Sequence, residues 1–215
     1  MIIIPARQNS KGLPFKNRVL FEETASTIPP HLCQDVYVTS DDPQILAMAS
    51  RYLFNTINRP DELALDTSST KDVLMDVANS IKPIPDENIY MLYLTYPERT
   101  WKQVEDFIFQ FEQNNAKSML CRKEAKISPY LMMYNLGDNK GKQVVTHNLY
   151  RRQDYPACFE ISHCMFACKA SELIHLNNNL YNSNTLFYTI DECIDVDSKE
   201  DLEKYLEYEI SKKIS

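Results

Sequence analysis

The chain has 215 residues, 44% of them hydrophobic and 25% charged, with a formal net charge of −7. That suits one α/β domain with a modest appendage and enough apolar side chains to fill its core. No apolar run approaches the ~18 residues of a membrane span, and a pI near 5.2 argues against a general nucleic-acid binder.

No basic region followed by a longer apolar stretch opens the chain, so no signal peptide is expected and the cytoplasm is the expected compartment. The six cysteines, Cys33, Cys121, Cys158, Cys164, Cys168 and Cys193, form no C-x-x-C pair and read as reduced thiols. Cys164 and Cys168 beside His163 read as small buried residues of a strand rather than as metal ligands.

Met1 to Ile4 is an apolar, β-branched run, the composition of a strand buried on both faces, and Pro5 ends it. A polar turn follows, Ala6-Arg7-Gln8-Asn9-Ser10-Lys11-Gly12. Gly12 is one of three glycines in the chain, and so scarce a residue marks a backbone bend at φ > 0 or a close approach to a ligand. Arg7, Lys11 and Lys16 gather at the carboxyl end of a strand, where open α/β sheets bind ligands. Such cations suit a phosphate; a solvated basic loop is the plain alternative. Neither G-x-x-x-x-G-K-[ST] nor G-x-G-x-x-G is present, which removes the P-loop and the dinucleotide fingerprint.

Residues 18 to 34 read as a helix or irregular crossover, broken at Pro29-Pro30. Asp35 to Ser40 reads as a second buried strand, and Gln44 to Tyr52 as a helix capped by Asp41 or Asp42, with Pro43 in its first turn. Strand, helix, strand opens a parallel sheet. Arg59-Pro60 holds a guanidinium in an extended pre-proline position, ahead of hydroxyls at Thr67 to Thr70 that also suit the N-cap of a helix over Lys71 to Ser80. Asn88 to Thr95 is a further buried strand, closed by Pro97-Glu98-Arg99-Thr100 before a helix from Trp101 to Asn114. Ala116 to Cys121 is a short strand.

Residues 122 to 155 differ. Ser128 to Tyr134 alternates weakly and a turn follows at Gly137 to Gly141, a hairpin-like excursion whose Leu, Met and Tyr suit a symmetric dimer interface. Arg151-Arg152 reads by itself as a solvated rim. Asp195 and Asp197, two positions apart on an expected strand, would face one side and reach one ion; hard oxygen ligands of this kind suit Mg²⁺. Asp197 or Ser198 would equally cap the last helix, Lys199 to Lys212.

Several of these stretches together resemble the sugar cytidylyltransferases, in particular the CMP-N-acylneuraminate (CMP-sialic acid) synthetases. Ala6 to Asn17 looks like the family's N-terminal signature, and Arg59 to Ser69 resembles its R-P-x-E-L-A-x-D-x-x-S. Arg151 to Pro156 is similar to its R-R-Q-x-x-P, and Ile194 to Leu202 to its I-D-[IV]-D-[ST]-x-x-D-L. Against the family's L-L-Q-P-T-S-P-L-R-T the chain keeps Leu92, Thr95, Pro97, Arg99 and Thr100, with Tyr93 for the glutamine and Tyr96 for the serine. His163 stands where the family has glycine, and the 18–34 segment is shorter than usual.

The resemblance implies a single Rossmann-like nucleotidyltransferase domain over residues 1–215, an α/β fold with a mixed, mostly parallel sheet flanked by helices. The small dimerisation excursion at about 122–155 lies within it. It implies a homodimer that transfers CMP from CTP to the anomeric hydroxyl of a sialic-acid-like nonulosonic sugar, with Mg²⁺ as cofactor and pyrophosphate as by-product, in surface polysaccharide biosynthesis. By the same resemblance Lys16, Arg7 and Asp197 are catalytic, and Arg7, Asn9, Ser10, Lys16, Asn17, Arg59, Ser69 and Thr70 bind CTP. Tyr93, Thr95, Ser162 and His163 face the sugar, and Asp195 and Asp197 hold the metal. Tyr93, Tyr96 and His163 keep another acceptor open, Kdo, its amino derivative or another keto-acid. A nucleotide- or sugar-binding module without catalysis is the reading from a different class.

Overall fold

In the computed structural model, which describes residues 1–214, the first strand is β1 (Ile2–Pro5). Its three isoleucines are almost wholly shielded from solvent, as a central parallel strand requires. After the polar turn come α1 (Lys16–Ala25) and, past a short 3-10 segment, β2 (Val36–Ser40). α2 (Pro43–Arg51) starts where Asp42 accepts the Gln44 N–H at 2.9 Å and Pro43 presets φ. β3 (Asn55–Asn58) carries Asn-Thr-Ile-Asn, a sequence with no strand signal. As an edge strand it needs only Ile57 turned to the core.

Ser69 caps α3 (Thr70–Ile81), its hydroxyl accepting the Asp72 N–H at 3.1 Å. β4 (Asn88–Leu92) ends three residues before the expected Thr95, because the chain turns at residues 94–95. A Thr100–Gln103 capping box opens α4 (Trp101–Gln113). β5 (Ser118–Glu124) runs three residues beyond the expected Cys121. Then β6 (Met133–Gly137) and β7 (Lys140–Gln143) form a separate two-stranded hairpin, turning at Asp138-Asn139 with both φ positive. β8 (Phe159–Lys169), β9 (Leu186–Thr189) and α5 (Lys199–Ile214) complete the chain.

The main sheet has seven strands in the order β3-β2-β1-β4-β8-β5-β9. β8 runs antiparallel to β4 and β5, and the other pairings are parallel. The fold is Rossmann-like, a mixed and mostly parallel sheet flanked by helices. One apolar layer gathers Phe21, Ile45 and Phe107 from α1, α2 and α4, and the other gathers Leu74 and Val77 of α3.

Two departures position the pocket described below. Leu120 of β5 pairs with Phe166 while Cys121 pairs with Ser162, so residues 163–165 of β8 lie unpaired with β5 and His163 is re-aimed there. Residues 190–197, expected to include a strand, form none. That run is pinned from inside instead: the Val196 N–H donates to the Thr95 carbonyl at 2.8 Å, and the Val196 side chain is fully buried.

Candidate active site

The carboxyl ends of β1, β3 and β4 open into a cavity of about 320 Å³, walled on its far side by His163, Asp195 and Asp197. The turn after β1 supplies Arg7 and Ser10, and the first turn of α1 supplies Lys16 and Asn17. Phe15 sits just before α1 at φ 55°, an uncommon conformation for a bulky residue, so the chain reverses sharply there. Asn17 Nδ2 donates to the Arg7 carbonyl at 2.8 Å and ties the helix start to the turn. Gly12 is needed for a close approach, but to protein: a Cβ there would collide with the Asp197 carbonyl oxygen. The other use expected of so scarce a residue, a bend at φ > 0, is absent at Gly12, since Gly137 alone of the three glycines shows one.

Each cation of the turn meets a carboxylate. Lys16, with a side chain 9% exposed, places Nζ 2.5 Å from Asp197 Oδ1. Arg7 Nη1 lies 2.6 Å and Lys11 Nζ 3.1 Å from the two oxygens of Asp66. Lys11 first, then Arg7, holds the Asp66 carboxyl below its ordinary range.

Arg59 is buried and donates through Nη2 to the Thr39 carbonyl at 2.9 Å, while its Nε has no partner. Burial lowers its pKa to about 10, so it remains a cation at neutral pH.

On the opposite wall the Tyr93 hydroxyl donates to Thr70 Oγ1 at 2.7 Å, and its ring meets His163 edge to face at 5.8 Å. Burial pushes the Tyr93 hydroxyl up to about 12 and holds the His163 ring below the usual histidine value. The Tyr96 hydroxyl donates to Asp195 Oδ2 at 2.8 Å. Burial raises the pKa of Asp195, with the Thr95 and Tyr96 hydroxyls opposing it. Asp195 Oδ1 nevertheless has no partner in hydrogen-bond geometry. Behind this wall Arg99, buried, donates to the carbonyls of Tyr93 at 2.9 Å and Cys164 at 2.7 Å and joins β4 to β8.

No protein-family model matches the chain. The post-translational flagellin modification protein B of Campylobacter coli is 23% identical over 223 aligned positions, covering 98% of this chain and 94% of its own length. The N-acylneuraminate cytidylyltransferase of Streptococcus agalactiae serotype III (strain NEM316) is 22% identical and covers 93% of this chain. The chain spans about half the length of that relative, 50%. A solved CMP:2-keto-3-deoxy-manno-octonic acid synthetase, complexed with CTP, shares the fold with a TM-score of 0.69 at 15% identity, over 99% of this chain and 98% of its own.

At these identities the likeness to the solved synthetase is one of fold. Of the residues the resemblance points to, Arg7, Ser10, Lys16, Asn17, Arg59, Thr70, Tyr93, Thr95, His163, Asp195 and Asp197 line the one cavity. Three lie off its wall. Asn9 is exposed, Ser69 is spent capping α3 while Ser68 takes the wall, and Ser162 is buried behind Tyr96. Arg151 is exposed and paired with Asp154 at 2.8 Å, away from this cavity.

Asp66, Tyr96 and Arg99 are the residues the structure adds to the expected set, the first two on the cavity wall and Arg99 behind it. Their signals were present as the aspartate of R-P-D-E-L-A-L-D and the tyrosine and arginine of T-Y-P-E-R-T. Ser198, not Asp197, caps α5: its hydroxyl accepts the Asp201 N–H at 3.2 Å, and its own N–H donates to the Asp201 carboxylate at 3.0 Å. Asp197 is thereby left to Lys16. Among the described residues no three His, Cys, Asp or Glu side chains converge on one point, and no helix is long and apolar enough to cross a membrane.

Proposed function

We propose that the protein transfers CMP from CTP to the anomeric hydroxyl of a sialic-acid-like nonulosonic acid and releases pyrophosphate. The observation that carries this reading is the enclosed Lys16 ammonium, aimed with Arg7 into a cleft at the strand ends and balanced by carboxylates. Asp66 and Asp197 stand against these cations as phosphate oxygens would. A triphosphate brings the same charge to the same donors.

Arg59 and the hydroxyl wall at Ser68 and Thr70 form the end of the cleft proposed for the base. The acceptor oxygen bonds to the α-phosphorus as the bond to the β-phosphate breaks in line, and the hydroxyl proton leaves to solvent. Lys16 and Arg7 stabilise charge on the α-phosphate and the departing pyrophosphate, which is chemistry of positioning and charge rather than of covalent catalysis.

Asp195 and Asp197 fit Mg²⁺. Asp195 Oδ1 is buried without a partner, and Asp197 is 70% exposed. Two carboxylates leave the remaining octahedral positions to phosphate and water, as Mg²⁺ favours. When bound, the ion would neutralise triphosphate charge.

Tyr93 and His163 form the wall proposed for the acceptor, and their aromatic bulk also supports Kdo or a related keto-acid as the substrate. The exposed Leu131, Met133, Tyr134 and Leu136 on and beside the β6–β7 hairpin support a homodimer. Six free thiols suit the cytoplasm.

The test is pyrophosphate release from CTP and Mg²⁺ with N-acetylneuraminic, legionaminic and pseudaminic acids and Kdo. Turnover with one nine-carbon acid is expected. Turnover with Kdo alone moves the acceptor class, and bound CTP with no turnover in any arm contradicts the enzyme reading.

A further inference from the structure

Asp195 is gripped at one oxygen. Tyr96 donates to Oδ2 at 2.8 Å, and Oδ1 is buried with no hydrogen-bond partner. Tyr96 is itself locked in place. It is 6% exposed, and Ser162, 3% exposed, is buried as well. Ser162 is seated in turn by the Cys164 N–H, which donates to its Oγ at 3.3 Å. Tyr96 therefore reaches the carboxylate from a buried position. The backbone of the acidic run is held separately, by Val196 on the Thr95 carbonyl. The Thr95 hydroxyl also bears on this carboxylate, but in hydrogen-bond geometry Oδ2 is committed to Tyr96 and Oδ1 is left.

We propose that Tyr96 is a positioning residue for the divalent cation: by occupying Oδ2 it leaves Oδ1 as the single oxygen through which Asp195 binds the metal. This rests on the reading of Asp195 and Asp197 as the metal pair. Outer hydrogen-bond donors that orient a metal ligand commonly contribute about 10–100-fold in metal affinity. Restricting Asp195 to one oxygen also disfavours Ca²⁺, which accepts bidentate carboxylates and irregular geometry, relative to a small octahedral ion. Tyr96 thus acts on both affinity and ion choice without touching the ion.

The test uses the full chain with saturating CTP. Mn²⁺ is titrated in while water-proton relaxation reports metal fixed to the slowly tumbling protein, and Ca²⁺ is then used as competitor. Tyr96→Phe keeps the buried ring and removes only the hydroxyl. Tyr90→Phe is the matched control, since Tyr90 also donates to a carboxylate, Glu112 at 2.9 Å, but outside the cleft.

Tyr96→Phe is expected to weaken Mn²⁺ about ten-fold or more and to lower the Mn²⁺-to-Ca²⁺ affinity ratio. Tyr90→Phe is expected to change neither. Calorimetric CTP affinity in excess chelator should stay at the wild-type value in both variants. Asp195→Asn separates the two claims. If it weakens Mn²⁺ while Tyr96→Phe does not, the positioning role is overturned and the metal pair stands. If Asp195→Asn leaves Mn²⁺ affinity unchanged, the metal reading falls and the role of Tyr96 with it.

Discussion

Lys16 and Asp197 lie 181 positions apart in the chain and meet at 2.5 Å. The lysine is enclosed and the aspartate is 70% exposed, so the ammonium is aimed by its surroundings and met by a carboxylate at the mouth of the cleft. Gly12 lets the first turn and the acidic run come close enough for that contact.

Removing the ammonium should therefore cost chemistry more than stability. Lys16→Ala is expected to lower the rate of pyrophosphate release by about 10²-fold or more, the scale of losing a preorganised charge at a transition state. Its circular dichroism should match wild type. Activity near the wild-type level would remove Lys16 from the mechanism.

Asp66 holds Arg7 and Lys11, and in the proposed reaction the triphosphate of CTP takes its place. Asp66→Asn leaves the shape and removes the competing charge. CTP should then bind tighter, roughly 3- to 10-fold by calorimetry, because less of the protein is held in the competing state. Weaker binding would show that Asp66 helps to hold the nucleotide.

Gly12→Ala places a methyl group against the Asp197 carbonyl. The 195–198 run must move, at about 1–3 kcal/mol by the usual scale of overpacking. Urea denaturation should show that loss, and pyrophosphate release should fall along with it. A variant equal to wild type in both assays would contradict the contact.

His163 supplies a pH test. Burial favours its neutral ring, with the nearby Asp195 charge opposing. The folded pKa is thus below the unfolded value, and the stability that follows is present above about pH 6.5 and lost as pH falls through the folded value. NMR titration should find the His163 midpoint below about 6.5, and His163→Gln should flatten the acid limb of the stability profile. A midpoint at or above that value contradicts the buried placement.

Local signals made much of this fold legible. The Asp42-Pro43 start, the Ser69 cap and the Thr100–Gln103 box each mark a helix within four residues of chain. The isoleucine run of β1 and the Val-Tyr-Val-Thr-Ser of β2 carry the apolar content of central strands. Edge strands carry less. β3 is mostly polar and β9 only half-buried, so neither shows the pattern of a buried strand.

The site divides the same way. Arg7, Lys16 and the two aspartates lie in contiguous motifs and were readable as charge at expected strand ends. The grip of Tyr96 on Asp195, the Arg7–Asp66 pair and the Gly12 contact join positions 99, 59 and 185 apart (197 − 12 = 185), where no local periodicity reports proximity. Ser162 faces the sugar by the resemblance alone; the structure buries it off the cavity wall, where the pairing of β5 with β8 shifts at Leu120–Cys121.

Phosphorus NMR of the protein with CTP, Mg²⁺ and a nine-carbon sugar acid tests the proposed transfer of CMP most directly. A new phosphodiester resonance from the CMP-sugar and one pyrophosphate for each CTP consumed are expected. Unchanged CTP, or hydrolysis to free nucleotide and phosphate with no new phosphodiester across the acceptor panel, would contradict it.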